Sequence, residues 1–267
     1  MKNRFILTFL LIFSLSFGQQ VDFTEFDLEN GLHVILHQDN TAPVVITSVM
    51  YDVGGKDREE GRTGFAHFFE HLLFEGSENI GRGEFMKIIP ANGGTFNANT
   101  SQDRTYYYDI FPSNKLELGL WLESERMLHP VIDKVAVDTQ NEVVKEEKRL
   151  RIDNQPYGSF LAEMNKRAYK EHPYQWTTIG KMEHLDAATL DEFMDFYHKF
   201  YVPENAILSI AGDIDIDQTK KLIEAYFGPI PRGKVPIEPI TIVEPPLKSE
   251  IRDTVYDNIQ LPGVMMA

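Results

Sequence analysis

The sequence predicts an α+β domain in which helices cover a largely antiparallel sheet. Three observations carry this. Short runs alternate apolar and polar residues with a period of two. Longer runs between them carry apolar residues at helical spacing. The two kinds do not follow one another in strict βαβ order, as a parallel doubly wound sheet would require.

The elements follow in order. "FTEFDLENGLHVILHQ" alternates on both sides of Asn30-Gly31, a pair suited to a two-residue hairpin turn. "VVITSVMYDVG" after Pro43 is a further strand. Gly64 to Phe74 turns helical, and Glu84 to Ile89 is a short helix up to Pro90. "GGTFNANTSQDRTYYYDIF" reads as strand, turn and strand, with aromatic residues filling the second strand. Helices are expected over Lys115–Leu128, from Val135 to about Ile152, and over Ser159–Lys170. Asp186 is the expected N-cap of a helix that runs to Phe200, with Pro203 beyond it. "NAILSIAGDI" is a buried strand, and "DQTKKLIEAYFG" a helix that stops at Gly228.

The ends of the chain read differently. Lys2 and Arg4 precede an apolar run from Phe5 to Phe17 and small residues at Ser16 and Gly18, the order of a secretory signal peptide over residues 1–18. That run is too short to span a hydrocarbon layer of roughly 30 Å, so no membrane span is expected once the leader is removed. Prolines punctuate residues 229–246 without a helical period, which marks a linker, placed at 234–250. A fresh strand-like stretch begins near Ile251, so residues 251–267 read as the start of a second domain and the sequence as a fragment.

Composition excludes several classes of function. There are no cysteines, hence no disulfides, thiolate ligands or thiol nucleophile, and an exported chain of this kind fits a bacterial periplasm or the extracellular space. The formal charge of −15 excludes nucleic acid as an expected partner, because binding it requires Lys and Arg against phosphates. No Gly-x-Ser-x-Gly elbow occurs, which argues against a serine hydrolase.

Chemistry concentrates in "HFFEH", His67 to His71. Residues four apart share a helix face, so His67 and His71 can direct two imidazoles at one point. Glu70 lies about 60° round the axis from His67, close enough to stand beside a metal without binding it. Two neutral nitrogen donors suit Zn²⁺, and a catalytic zinc takes a third protein ligand and keeps one position open. The surrounding "GFAHFFEHLLFEGS" gives this helix apolar surface nearly all round, where unpartnered histidines and a glutamate would be costly to bury. A third ligand is available from the charged helix containing "NEVVKEEKRLRIDNQPYG": Val143 and Val144 mark its inner face, and either Glu146 or Glu147 can point with them.

These segments, with "ANGGTFNANTSQDRTYYY", "HPY" and "NAILSIAGDID", resemble the pitrilysin/insulinase family of zinc metallopeptidases over about Val21 to Gly233. Its inverted His-x-x-Glu-His motif is followed about 75 residues later by a glutamate ligand. The resemblance implies one Zn²⁺ per chain held by His67, His71 and Glu147, with Glu70 as general base. Glu147 is preferred to Glu146 because it completes the family's Val-Val-x-x-Glu pattern. It also implies that Phe96, Asn97 and Ala98 bind a peptide or unfolded protein segment as an added β-strand. Residues 21–233 would form the first domain of a half-unit, with a second half on the same chain or a partner subunit closing the chamber. One departure is Gln140, where many members carry a glutamate that tunes the site. The alternative function is a non-catalytic subunit that only holds substrate, as in half-units that have lost the motif.

Overall fold

The computed structural model describes residues 21–57 and 61–267, so the expected signal peptide lies outside the described residues. Among them six strands form one sheet: β1 (Thr24–Asp27), β2 (His33–Gln38), β3 (Val44–Tyr51), β4 (Thr95–Thr100), β5 (Thr105–Pro112) and β6 (Ala206–Gly212). Their order is β1-β2-β6-β3-β5-β4. All neighbours are antiparallel except β2 and β6, so the sheet is mixed but largely antiparallel, as expected for an α+β domain. Among the described residues, eight α-helices accompany it: α1 (Phe65–Leu72), α2 (Phe85–Ala91), α3 (Leu116–Leu128), α4 (Lys134–Lys148), α5 (Phe160–Ala168), α6 (Met182–Ala187), α7 (Leu190–Phe200) and α8 (Ile216–Phe227).

The period-two pattern sets which face of the sheet is covered. Val34 and Leu36 on β2, Leu208 and Ile210 on β6, Val45 and Val49 on β3, and Tyr107 and Phe111 on β5 are buried. Val45 stands opposite Phe111 and Val49 opposite both Tyr107 and Leu208, so these side chains form one continuous floor. Helices α1 and α3 pack on it, and α4 and α7 pack on α1.

Local chemistry departs from the expected boundaries at four places. The β1–β2 connection is not a two-residue turn: Gly31 N–H donates to Leu28 O at 2.9 Å and Leu28 N–H to Leu32 O at 3.0 Å, enclosing a three-residue loop. Gly31 has φ +90°, the left-handed residue that such a loop needs at its end. The N-cap of α7 is Thr189 and not Asp186, because Thr189 and Glu192 form a reciprocal capping box; Asp186 sits inside α6. Helix α4 ends at Lys148 and continues as a single π turn, Arg149–Asp153. The stretch from Ile251 forms no strand, since no neighbouring strand pairs with it.

Candidate metal centre and active site

Helix α1 is short, and its apolar neighbours fix its position. Phe65 stacks on Phe193 of α7 with centroids 4.7 Å apart, and Phe69 stacks on Phe196 at 5.5 Å. Two buried tyrosines bind its carbonyls: Tyr107 donates to Phe69 O at 3.0 Å and Tyr201 to Ala66 O at 3.4 Å. Its N-cap is Gly64 at φ +92°, where a Cβ would stand 2.6 Å from Ile179 O. Glycine is therefore required both for the left-handed turn and for the close approach of the 179–180 segment. This packing leaves His67, Glu70 and His71 on the remaining face.

Helix α4 supplies the facing group. Asp133 caps it by accepting from Ala136 N–H at 2.8 Å. Asp133 also accepts from Arg82, whose other branch donates to Glu75 at 2.6 Å, so the start of α4 is tied to the chain that follows α1. Gln140 joins the same network by donating to Glu75 Oε1 at 2.5 Å. Farther along, Val144 is fully buried and Glu147, one turn on, shares its side. Val143, expected on the inner face, is 43% exposed because successive residues are about 100° apart on a helix. Glu146 pairs outward with Arg149.

The structure therefore brings Glu147, and not Glu146, to the two histidines. Glu147 Oε2 lies 3.4 Å from His67 Nε2 and 3.2 Å from His71 Nε2, and the three donor atoms all fall within 4.8 Å of one another. The edge of a tetrahedron with ligands about 2.0–2.1 Å from its centre is about 3.3 Å, so these spacings suit a bound Zn²⁺. The two imidazoles, His67 first and then His71, hold the Glu147 carboxyl well below the usual carboxylate range. Their contacts are close but not aligned as hydrogen bonds, and Oε2 remains buried with no hydrogen-bond partner. A buried anionic oxygen without a donor, facing two imidazole nitrogens, is a donor set that a divalent cation satisfies. Glu147 Oε1 is turned the other way, 2.6 Å from Arg151 Nη1.

Glu70 stands apart from this set and accepts from Thr100 Oγ1 at 2.6 Å. The expected substrate residues Phe96, Asn97 and Ala98 lie on β4, an outer strand of the sheet. Phe96 packs on Phe74 beside α1 with centroids 5.3 Å apart. Asn97 is exposed, and its Oδ1 accepts from Ala98 N–H at 2.9 Å. Asn99 accepts from Arg104 at 2.7 Å. Sequence reasoning missed Thr100, Arg151 and the two bracing tyrosines. Thr100 was available from strand period, since it alternates with Phe96 and Ala98 on one side of β4.

Four of the other histidines make local contacts. His33 contacts Asp27, His37 contacts Asp22 O, His129 approaches Glu125, and His172 accepts from Tyr174 N–H. Among the described residues, His67, His71 and Glu147 are the one group of three whose donor atoms converge. Also among the described residues, no helix is long and apolar enough to cross a membrane.

Comparison with known proteins decides the family. Residues 33–181 match the model of the insulinase family, peptidase family M16, and residues 187–267 match that of the peptidase M16 inactive domain. The chain belongs to the insulinase family. It is 35% identical over 201 residues to the zinc protease PqqE of Helicobacter pylori, covering 75% of this chain and 45% of that protein. It is 27% identical over 201 residues to the probable mitochondrial-processing peptidase subunit beta of Schizosaccharomyces pombe, covering 75% and 44%. A crystal structure of a protease from Helicobacter pylori superposes with TM-score 0.81 at 32% identity, over 85% of this chain and 55% of that one. The first half of the periplasmic protease PqqL from Escherichia coli shares the fold with TM-score 0.75 at 22% identity, over 84% and 49%. This insulinase-family chain thus spans about half the length of the relatives it matches.

Proposed function

We propose that the chain is the catalytic unit of an exported zinc endopeptidase that hydrolyses peptides or unfolded protein segments. The observation that carries this is the convergence of His67, His71 and Glu147 on one point, with Glu70 next to it on the same helix. Zn²⁺ held by those three residues would supply Lewis-acid polarisation of water and of the scissile carbonyl. The residues of the chain do the rest. The β4 edge at Phe96, Asn97 and Ala98 binds an extended peptide through main-chain hydrogen bonds, which hold it largely independently of its sequence. Glu70 takes a proton from the attacking water and delivers it to the leaving amine nitrogen. The unit is residues 21–233, joined by a linker at 234–250 to a second domain that begins at 251–267. A second half-unit completes the chamber for efficient turnover. The names of the relatives support the activity and the PqqL likeness the location; each is a property of those proteins.

Elemental analysis of purified protein beside Glu147→Gln tests the metal site, with about one zinc per chain expected in the wild type and a large loss in the variant. Glu70→Gln is expected to keep its zinc and lose turnover of a quenched fluorescent peptide. A Glu70→Gln protein with full activity removes Glu70 from the role of base, and a wild type without zinc under non-chelating conditions favours a purely substrate-holding subunit.

A further inference from the structure

We propose that Thr100 is the positioning residue of the general base: its hydroxyl holds Glu70 Oε2 and leaves Oε1 to take the proton of the attacking water. This rests on the reading of Glu70 as base.

The geometry is specific on both sides. Thr100 Oγ1 donates to Glu70 Oε2 at 2.6 Å, and this is the hydrogen bond that fixes the Glu70 carboxylate among the described residues. A glutamate has three side-chain torsions and, without an anchor, samples several staggered rotamers. Threonine is restricted at its first torsion, so its hydroxyl oxygen is held in place while the O–H turns to its acceptor. Its backbone is fixed as well. Thr100 pairs with Thr105 in the last rung between β4 and β5, and Thr105 is fully buried with its own hydroxyl on Val53 O at 2.8 Å. Directly beyond, Ser101 N–H donates to Arg104 O at 2.8 Å and closes the turn. Helix α1, which carries Glu70, is in turn held by Tyr107 and Tyr201. Neither end of the Thr100–Glu70 bond can drift without breaking a buried contact.

The consequence is a choice of oxygen. With Oε2 already accepting from Thr100, the water O–H bond breaks as an Oε1–H bond forms. The water oxygen bonds the scissile carbonyl carbon, and as the C–N bond breaks its electron pair on nitrogen takes the proton from Oε1, so Glu70 returns to its starting state. The same strand that takes the peptide at Phe96–Ala98 orients the base two residues later, which couples substrate placement to the proton acceptor.

The test compares wild type, Thr100→Val and Thr100→Ser, each loaded with zinc, by crystal structure and by peptide turnover. Val matches the shape of Thr without the donor. It is expected to leave zinc content unchanged, to let Glu70 occupy more than one rotamer, and to lower kcat by about 10- to 100-fold with KM within about twofold. Thr100→Ser is expected to restore a single Glu70 rotamer and a kcat within about threefold of wild type. Glu70 unmoved in Thr100→Val, zinc lost from it, or a raised KM with unchanged kcat would each overturn the proposal and make Thr100 a structural residue. If turnover of the chain alone is too low to measure, the Glu70 rotamer decides. An active Glu70→Gln would sink the reading of the base, while the Thr100→Val structure would still show whether Thr100 holds the carboxylate.

Discussion

Arg126 and Glu123 lie three residues apart on α3, both fully buried, with Arg126 Nη1 3.1 Å from Glu123 Oε1. The guanidinium also lies over the rings of Phe74, at 4.5 Å from the centroid, and Tyr107, at 4.6 Å. Phe74 packs on Phe96 of the proposed substrate strand, and Tyr107 binds a carbonyl of α1. This buried cation therefore underpins both halves of the site. Arg126→Met leaves Glu123 and Asp109 without their counter-charge and is expected to destabilise the fold by roughly 3–5 kcal/mol. Urea denaturation checks this, and a loss under about 1 kcal/mol would mean that the ring contacts, which Met can replace, carry the stability.

The same cluster predicts a pH dependence. Burial pushes the Glu123 carboxyl from 4.5 up to about 8, and burial also raises that of Asp109. One cation cannot compensate two buried anions, so the pair retains one proton at neutral pH. Glu123 binds its proton more tightly in the folded than in the unfolded chain. Its contribution is therefore complete below about pH 4.5 and is lost as pH rises through about 8, on the order of a few kcal/mol in all. Glu123→Gln removes this titration and is expected to flatten the fall in stability between about pH 4.5 and 8 relative to wild type. Identical slopes for the two proteins in denaturation experiments across that window would refute it.

Arg151 holds the outer oxygen of Glu147, and its π-helical setting one turn beyond α4 brings it back over that carboxylate. An exposed guanidinium cannot contribute much to folding. It can nevertheless hold the carboxylate so that Oε2 faces the histidines. Arg151→Ala is expected to weaken zinc affinity about tenfold, read by competition with a chelator, with little change in melting temperature of the metal-free protein. Equal affinities would mean that α4 alone fixes Glu147.

The order of elements was legible because period two and period 3.6 differ strongly over β3, β5, α3 and α8. The candidate site was legible where one element sufficed, since His67, Glu70 and His71 share a short helix. It became ambiguous where two elements meet. Glu146 and Glu147 are both flanked by charge, so the residues alone leave both open; the family's Val-Val-x-x-Glu pattern favours Glu147, and the burial of Val144 beside exposed Val143 shows why it turns inward. Asp186 and Thr189 are both good N-caps, and the choice is made by the Glu192 side chain reaching back to Thr189. The buried cluster was invisible because "WLESERML" places Glu123 and Arg126 where an exposed helix face would also place them. That they face the sheet depends on Asp109, Phe74 and Tyr107, which come from distant parts of the chain.

Asn30 offers a change in stability that leaves the site alone. Its buried amide donates to Phe227 O at 2.8 Å and Ile230 O at 3.0 Å, tying the β1–β2 loop to the end of α8. Asn30→Ala leaves two buried carbonyls without donors, at a cost of about 2–3 kcal/mol. The melting temperature is expected to fall by roughly 4–12 °C with zinc content unchanged. Lost zinc would show that the hairpin supports the metal centre, which the separation of these elements argues against.

Removal of the metal is the most direct stability experiment. A ligand that binds only the folded state stabilises it by about 4 kcal/mol at a thousandfold excess over its Kd. Helices α1 and α4 meet at His67, His71 and Glu147, so zinc would join two elements that otherwise share apolar contacts and the Glu75–Arg82–Asp133 network. A chelator is expected to lower the melting temperature of the zinc-loaded wild type by about 10 °C, and re-addition of zinc to restore it. In Glu147→Gln the carboxylate is replaced by a neutral amide that coordinates poorly, so the chelator-dependent shift should shrink to within about 2 °C. An undiminished shift in that variant would place the third ligand elsewhere.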